Sequence, residues 1–119
     1  MRRLSNFGFS RLLVLAGILC LALPSFAGSP EPEKVVEVTI YKMRFDPAEI
    51  TIEKGTTVRW INKEKRQYHN VWFEALGEEE PDYLFPGDVY ERRFDEAGDF
   101  PYRCGPHEEM RGIVHVRDE

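Results

Sequence analysis

From Lys34 onward, apolar and polar positions alternate with a period of two. Val36, Val38 and Ile40 are separated by Glu37 and Thr39, the pattern of a strand with one buried face. Phe45-Asp46-Pro47 interrupts it; Ile50 and Ile52 then alternate with Thr51 and Glu53, and Lys54-Gly55 predicts a turn. Residues 57–61 read as the next strand and 62–68 as a polar loop. With His69-Asn70-Val71-Trp72-Phe73 the composition becomes β-rich again, so His69 is expected to open a strand. Residues 74–88, dominated by acids, prolines and glycines, predict a long connection with a short edge strand at 83–85. Strands are expected at 89–94, at 100–104 after an Ala97-Gly98 turn, and at 112–117. No stretch beyond Lys34 keeps helical spacing. Seven to eight short strands in about 85 residues predict an all-β, Greek-key two-sheet β-sandwich.

The first 27 residues have a different pattern, that of a cleaved export signal. Arg2, Arg3 and Arg11 form a basic start, residues 12–23 an apolar run, and Ser25-Phe26-Ala27 a cleavage motif. Twelve apolar residues fall short of the ~20 that span a bilayer as a helix, so no permanent membrane span is expected. Leu19 before Cys20 does not suit a lipoprotein signal, nor do the residues after Arg2-Arg3 continue a twin-arginine motif. Cleavage would leave 92 residues: a flexible lead-in at 28–33 and one domain at 34–119. The expected location is the periplasm and the expected state a monomer.

Removing the signal changes both charge and cysteine count. The 16 basic residues fall to 13 against 21 acidic ones, a net charge of −8 with histidines neutral, which argues against nucleic acid as a partner. Of the two cysteines only Cys104 remains. An unpaired thiol in an oxidising compartment needs protection, and metal ligation supplies it.

The candidate chemistry lies around that cysteine. Cys104-Gly105-Pro106-His107-Glu108-Glu109-Met110 offers a thiolate, an imidazole and a thioether within seven residues, enough for a loop wrapped around one ion. Two histidines, a cysteine and a weak axial methionine are the donors of a blue-copper site. The second imidazole must come from outside the loop, and His69 is the candidate. The remaining histidine, His115, sits in the alternating run Ile113-Val114-His115-Val116 and is expected to point away from the core. Structural zinc sites use several Cys or His and no Met, whereas a thioether suits copper.

These residues together resemble the cupredoxin family of type 1 blue-copper proteins. The resemblance rests on Phe45-Asp46-Pro47 through Ile52 with Gly55, on residues 58–62, on His69-Asn70-Val71 and on the metal loop, so it covers nearly the whole mature chain. The Cys-x-x-His-x-x-Met spacing of Cys104, His107 and Met110, with Ala97-Gly98 before it and Met110-Arg111-Gly112 after it, looks most like the amicyanin branch, with plastocyanin and pseudoazurin more distant. The resemblance implies that His69, Cys104, His107 and Met110 hold one copper ion cycling between Cu(I) and Cu(II). It also implies that Asn70 ties the two ligand loops together and donates its backbone N–H to the cysteine sulfur. Pro106 has no N–H to offer there; it can also serve simply to stiffen the loop. In place of an apolar pair in the amicyanin pattern stand Glu108 and Glu109, so that branch's partner, methylamine dehydrogenase, is not carried over.

The expected function is one-electron transfer between redox proteins, a basic c-type cytochrome or a dehydrogenase among them. A copper carrier or storage protein of the same fold is the alternative, but carriers favour open sites rich in Met or Cys, and the mature chain keeps only Met43 and Met110 besides Cys104. A catalytic copper needs an open coordination position, which four donors do not leave, and no hydrolase motif surrounds the cysteine, so an enzyme is not expected. A domain of this fold that has lost its metal would not retain all four donors. The acidic run Glu74, Glu78, Glu79, Glu80 and Asp82 is either solvated surface or a steering patch, and Lys63, Lys65 and Arg66 add opposite charge before His69.

Overall fold

The computed structural model describes residues 17–25, 28 and 30–118. Most of the expected signal peptide, including its arginines and Phe26-Ala27, lies outside the described residues. Residues 17–25 form neither helix nor strand, and among the described residues no helix is long and apolar enough to cross a membrane. In the lead-in, Glu33 Oε1 accepts a hydrogen bond from Thr57 Oγ1 at 2.5 Å.

Among the described residues seven strands form two facing sheets, the two-sheet sandwich that the alternation predicts. They are β1 (Val35–Tyr41), β2 (Arg44–Asp46), β3 (Glu49–Glu53), β4 (Thr56–Asn62), β5 (Val89–Phe94), β6 (Gly98–Arg103) and β7 (Arg111–Arg117). One sheet has the order β2-β1-β4-β5 and the other β3-β7-β6. β1 runs parallel to β4 and β3 parallel to β7, while the other pairs are antiparallel. The chain crosses between sheets where the turns are tight. At one crossing, Gly55 takes a left-handed φ of 82°, and its N–H donates to the Phe94 carbonyl at 2.7 Å. Glycine adopts that conformation without steric cost.

Three local expectations change. Phe45-Asp46-Pro47 does not only interrupt the chain: Arg44–Asp46 is a short strand, paired with β1 through Ile40↔Phe45 and Tyr41↔Arg44. The intervening turn is Lys42-Met43, both at positive φ (54° and 58°), as a two-residue hairpin turn with right-handed strand twist requires. Neither residue type advertises such a turn. Residues 69–73 are likewise not a strand. They are held by two isolated bridges, His69 with Leu84 and Trp72 with Arg103, so His69 opens no strand and the expected edge strand at 83–85 reduces to Leu84. Within the long connection, Glu74–Leu76 forms a single 3-10 turn closed by Gly77.

The register places apolar residues of both sheets face to face. Ile50 pairs with Val114 and Ile52 with Val116, and all four are buried with Val38, Ile40, Val58 and Trp60. His115 lies on the opposite face of β7, as expected, between Asp99 (2.6 Å) and Glu49 (2.7 Å). Those carboxylates, Asp99 foremost, raise its pKa above the ordinary imidazole value. Trp60 is fully buried and lies edge-on to Phe73 and Tyr102, with centroids 6.2 and 5.4 Å away. Among the described residues, neither its indole N–H nor the Tyr102 hydroxyl meets a hydrogen-bond partner. Burial pushes the Tyr102 phenol up to about 12.

Tyr102 explains the glycine at the second position of the last strand. Tyr102 and Gly112 face each other across β6 and β7, and a Cβ on Gly112 would fall 2.3 Å from the phenol ring. Gly112→Ala is therefore expected to destabilise the fold by about 1–3 kcal/mol, the cost of overpacking a filled core. In a domain of this size each kcal/mol lowers the melting midpoint by roughly 4–8 °C. An unchanged thermal midpoint would show that the ring has room to move.

Candidate metal centre

Three backbone segments meet at one end of the sandwich. Asn62, buried at the end of β4, organises the first by donating its side-chain amide to the carbonyls of Gln67 (2.9 Å) and Leu84 (2.8 Å). Its Oδ1 accepts the Glu64 N–H at 3.0 Å. That frame presents His69, which exchanges backbone bonds with Leu84 at 3.0 and 2.6 Å. The second segment is the end of β6, which delivers Cys104. The third is the loop back into β7, closed on itself by Cys104 N–H to Met110 O (2.9 Å) and Met110 N–H to His107 O (3.0 Å). Seven residues therefore suffice to present three candidate donors.

Those bonds bring the predicted donors together. His69 Nδ1 and His107 Nδ1 are 3.1 Å apart, and the Cys104 sulfur lies 3.6 Å from the first and 3.5 Å from the second. Each corner of such a triangle lies about 2 Å from its centre, the length of a metal–imidazole bond. Cys104 and His69 are fully buried, Met110 is 3 % exposed and belongs to the core cluster, and His107 is half-buried. Two converging imidazoles and a thiolate, with a buried thioether three residues after His107, are a donor set that fits one soft, redox-active ion.

The surroundings set the protonation of these groups. Burial raises the Cys104 pKa above its ordinary thiol value, opposed by backbone N–H groups of Asn70 and His107. The Asn70 donor is the one that the family resemblance implies; the His107 N–H, which follows Pro106, adds a second. Burial and the neighbouring His107 lower the pKa of His69, which keeps the imidazole neutral and able to ligate. The other ring nitrogen of His69 faces Glu64, 3.5 Å from its Oε1 and out of bonding line. Glu64 is itself held by the Met43 N–H at 2.7 Å. A carboxylate behind a ligating histidine orients the ring and raises its basicity. Glu64 sits in a polar loop like many others, and nothing in the sequence singles it out.

Asn70 ties the two ligand segments together. It is fully buried, and its Oδ1 accepts the Gly105 N–H at 2.6 Å. Its amide donates to Glu80 Oε1 at 3.1 Å and Pro81 O at 3.2 Å. Pro106 is exposed at the turn of the loop.

Around the accessible side of His107 stands an aromatic group that strand patterning does not reveal. The Tyr68 ring lies 6.4 Å from the imidazole, 4.9 Å from Tyr83 and 6.0 Å from Phe85. Tyr68 is 42 %, Tyr83 45 % and Phe85 56 % exposed, enough to present an apolar face. Glu108 and Glu109 are exposed next to His107, with the Arg111 guanidinium 4.0 Å from Glu108. The acidic run is largely engaged within the molecule. Glu74 pairs with Arg103, and Glu78 accepts two bonds from Arg92 at 2.8 and 2.9 Å.

The family model for copper-binding proteins of the plastocyanin/azurin type matches residues 32–117. Amicyanin of Paracoccus denitrificans is 38% identical over 95 residues, covering 76% of this chain and 72% of its own. Plastocyanin of Scenedesmus fuscus is 38% identical over 87 residues, covering 61% and 86%. A solved Cu(I) form of an amicyanin variant superposes with a TM-score of 0.66 at 37% identity, covering 72% of this chain and 85% of that one. With the fold, the converging donors and these similarities together, the chain belongs to the plastocyanin/azurin family of copper-binding proteins.

Proposed function

We propose that the protein is an exported one-electron carrier, and that His69, Cys104, His107 and Met110 are the residues that would hold its copper. The observation that carries this reading is the triangle of two imidazole nitrogens and a sulfur, with edges of 3.1–3.6 Å, built on two fully buried residues and the half-buried His107. When bound, copper supplies a centre that accepts and releases one electron. The chain's own part is to keep the donors fixed, so that little rearrangement accompanies the change of charge. Cys104 directly follows β6, whose sheet pairing ends at Arg103, the Leu84 bridge holds His69, and two backbone bonds close the loop. Burial of Cys104, His69 and Met110 would keep water and a substrate away from an ion that they hold. It also favours electron transfer over copper delivery, which requires donors that a second protein can reach.

The imidazole of His107 is the most accessible of the four donors and the natural point of electron exchange. Tyr68, Tyr83 and Phe85 give its surroundings an apolar face on which a redox protein can seat, and Glu108 and Glu109 give it negative charge. The partner that this charge fits is a basic c-type cytochrome. Residues 1–27 act as the export signal, the domain begins near Lys34, and the mature protein works as a periplasmic monomer.

Protein recovered from the periplasm of the producing bacterium and loaded with Cu(II) is expected to be intensely coloured, to bind one copper per chain, and to lose its colour on one-electron reduction. Its mass should correspond to a chain starting at Gly28 with one free thiol. A colourless one-to-one complex would overturn the electron-transfer site, and recovery with Met1 retained would overturn export by cleavage.

A further inference from the structure

The connection between residues 74 and 82 is read from the sequence as solvated surface or a steering patch, but its most notable contact is inward. A Cβ placed on Gly105 would lie 1.8 Å from Glu80 Oε1, 2.7 Å from its Cδ and 3.0 Å from the Asn70 amide nitrogen. The space a side chain would take at position 105 is thus filled by the carboxylate of a residue 25 positions earlier in the chain. That carboxylate is not loosely placed: the Asn70 amide donates to it at 3.1 Å, while the same side chain accepts the Gly105 N–H at 2.6 Å. Glu80 is an exposed residue, but its anchor Asn70 is fully buried, so the amide bridge ties the carboxylate to the metal loop. A neighbouring contact works the same way, since Arg103 pairs with Glu74 and donates to the carbonyls of Cys104 (3.2 Å) and Gly105 (3.3 Å).

We propose that Glu80 is a positioning residue for the metal loop, clasped between Asn70 and Gly105, and that its negative charge beside Cys104 favours the more highly charged state of the bound copper. Glycine at 105 is then a requirement of the clasp. Any side chain there would evict the carboxylate and break the bond that orients the Asn70 amide. Three consequences follow from the physical chemistry. Removing the charge while keeping an acceptor favours the reduced ion. Removing the whole side chain loosens the loop, as loss of an outer partner does at other metal sites. A methyl group at position 105 harms only a chain that still carries Glu80.

This inference rests on copper occupying the His69, Cys104, His107 and Met110 site, and the test separates the two. Wild type, Glu80→Gln, Glu80→Ala, Gly105→Ala and the double variant Glu80→Ala with Gly105→Ala are compared. The readouts are reduction potential, the rate at which a Cu(I) chelator strips the reduced protein, and the melting midpoint of the copper-free protein. Glu80→Gln is expected to shift the oxidised-to-reduced ratio about tenfold toward reduced at a fixed ambient potential, a rise of ~59 mV for a one-electron couple. Glu80→Ala should be stripped about tenfold faster. Gly105→Ala should lower the copper-free midpoint in the parent chain and have little further effect in the Glu80→Ala chain, a non-additivity that marks direct contact. Equal cost of Gly105→Ala in both backgrounds would overturn the clasp. A wild-type potential in Glu80→Gln would overturn the role of the charge, and a wild-type stripping rate in Glu80→Ala the role in positioning. If the wild-type protein is itself colourless with Cu(II), the copper reading fails instead, and the copper-free double-variant comparison still decides the clasp.

Discussion

Cys104→Ser is expected to bleach the protein completely. The thiolate is the one soft anionic donor of the site, and the strong visible absorption of such centres comes from its covalent link to copper. A serine hydroxyl has nearly the same shape but stays protonated at neutral pH and is a hard, neutral donor. Copper affinity should fall by more than the roughly 10- to 100-fold that follows loss of an outer partner, because here a direct ligand is lost. Cys104 is fully buried, but serine nearly matches its shape, so the copper-free fold should survive; a melting curve of the apo variant checks this. Met110→Gln gives the contrast, since it replaces only the weak axial donor and is expected to keep an intense colour at a lower potential. The measurement is absorbance on titration with Cu(II), alongside equilibrium dialysis for affinity. An intensely coloured Cys104→Ser protein would mean that the sulfur is not the donor on which the site depends.

The parts of the molecule legible in the sequence are those in which one local pattern has one physical cause. Val38, Ile40, Ile50, Ile52, Val114 and Val116 alternate because each strand buries one face, and all are core residues. The metal loop was legible because Cys, His and Met at three-residue intervals have few reasons to coincide. His69 followed by a weaker route, as the only other histidine outside an alternating strand. What escaped depends on contacts distant in sequence or on backbone geometry without a residue signal. Lys42-Met43 makes a turn usually given to Asn-Gly because pairing of β1 with β2 and the bond from Met43 to Glu64 impose it. Residues 69–73 look like a strand by composition, yet their backbone is taken up by two bridges and the metal site. Glu64 and Glu80 are ordinary surface acids until the fold sets one behind His69 and the other against Gly105.

Pairing within the fold also decides which charges remain to act at long range. With Glu74 on Arg103 and Glu78 on Arg92, the acidic run contributes less to the outer field than its composition suggests. Glu108 and Glu109, exposed and adjacent to the half-buried His107, are better placed to act on a partner that must bring its own redox centre close. The Arg111 guanidinium, 4.0 Å from Glu108, and the nearby Arg103 offset them in part.

Reversing these two charges, Glu108→Lys with Glu109→Lys, is therefore expected to have the second large effect. The substitution changes the local charge by four units at the point of closest approach, without touching a donor or a core residue. Electrostatic steering raises association rates by roughly 10- to 1,000-fold for complementary partners, so the second-order rate of electron transfer to a basic c-type cytochrome should fall at least about tenfold at low ionic strength. Salt should erase the difference, because the screening length shrinks from about 10 Å at 0.1 M to about 3 Å at 1 M. The aromatic face of Tyr68, Tyr83 and Phe85 is unaltered in the variant, so the rates of variant and parent should converge at high salt and not merely fall together. Stopped-flow measurement across an ionic-strength series reads both features at once. A variant that matches the parent at low salt would place docking away from His107, and the basic loop of Lys63, Lys65 and Arg66 would become the surface to alter next.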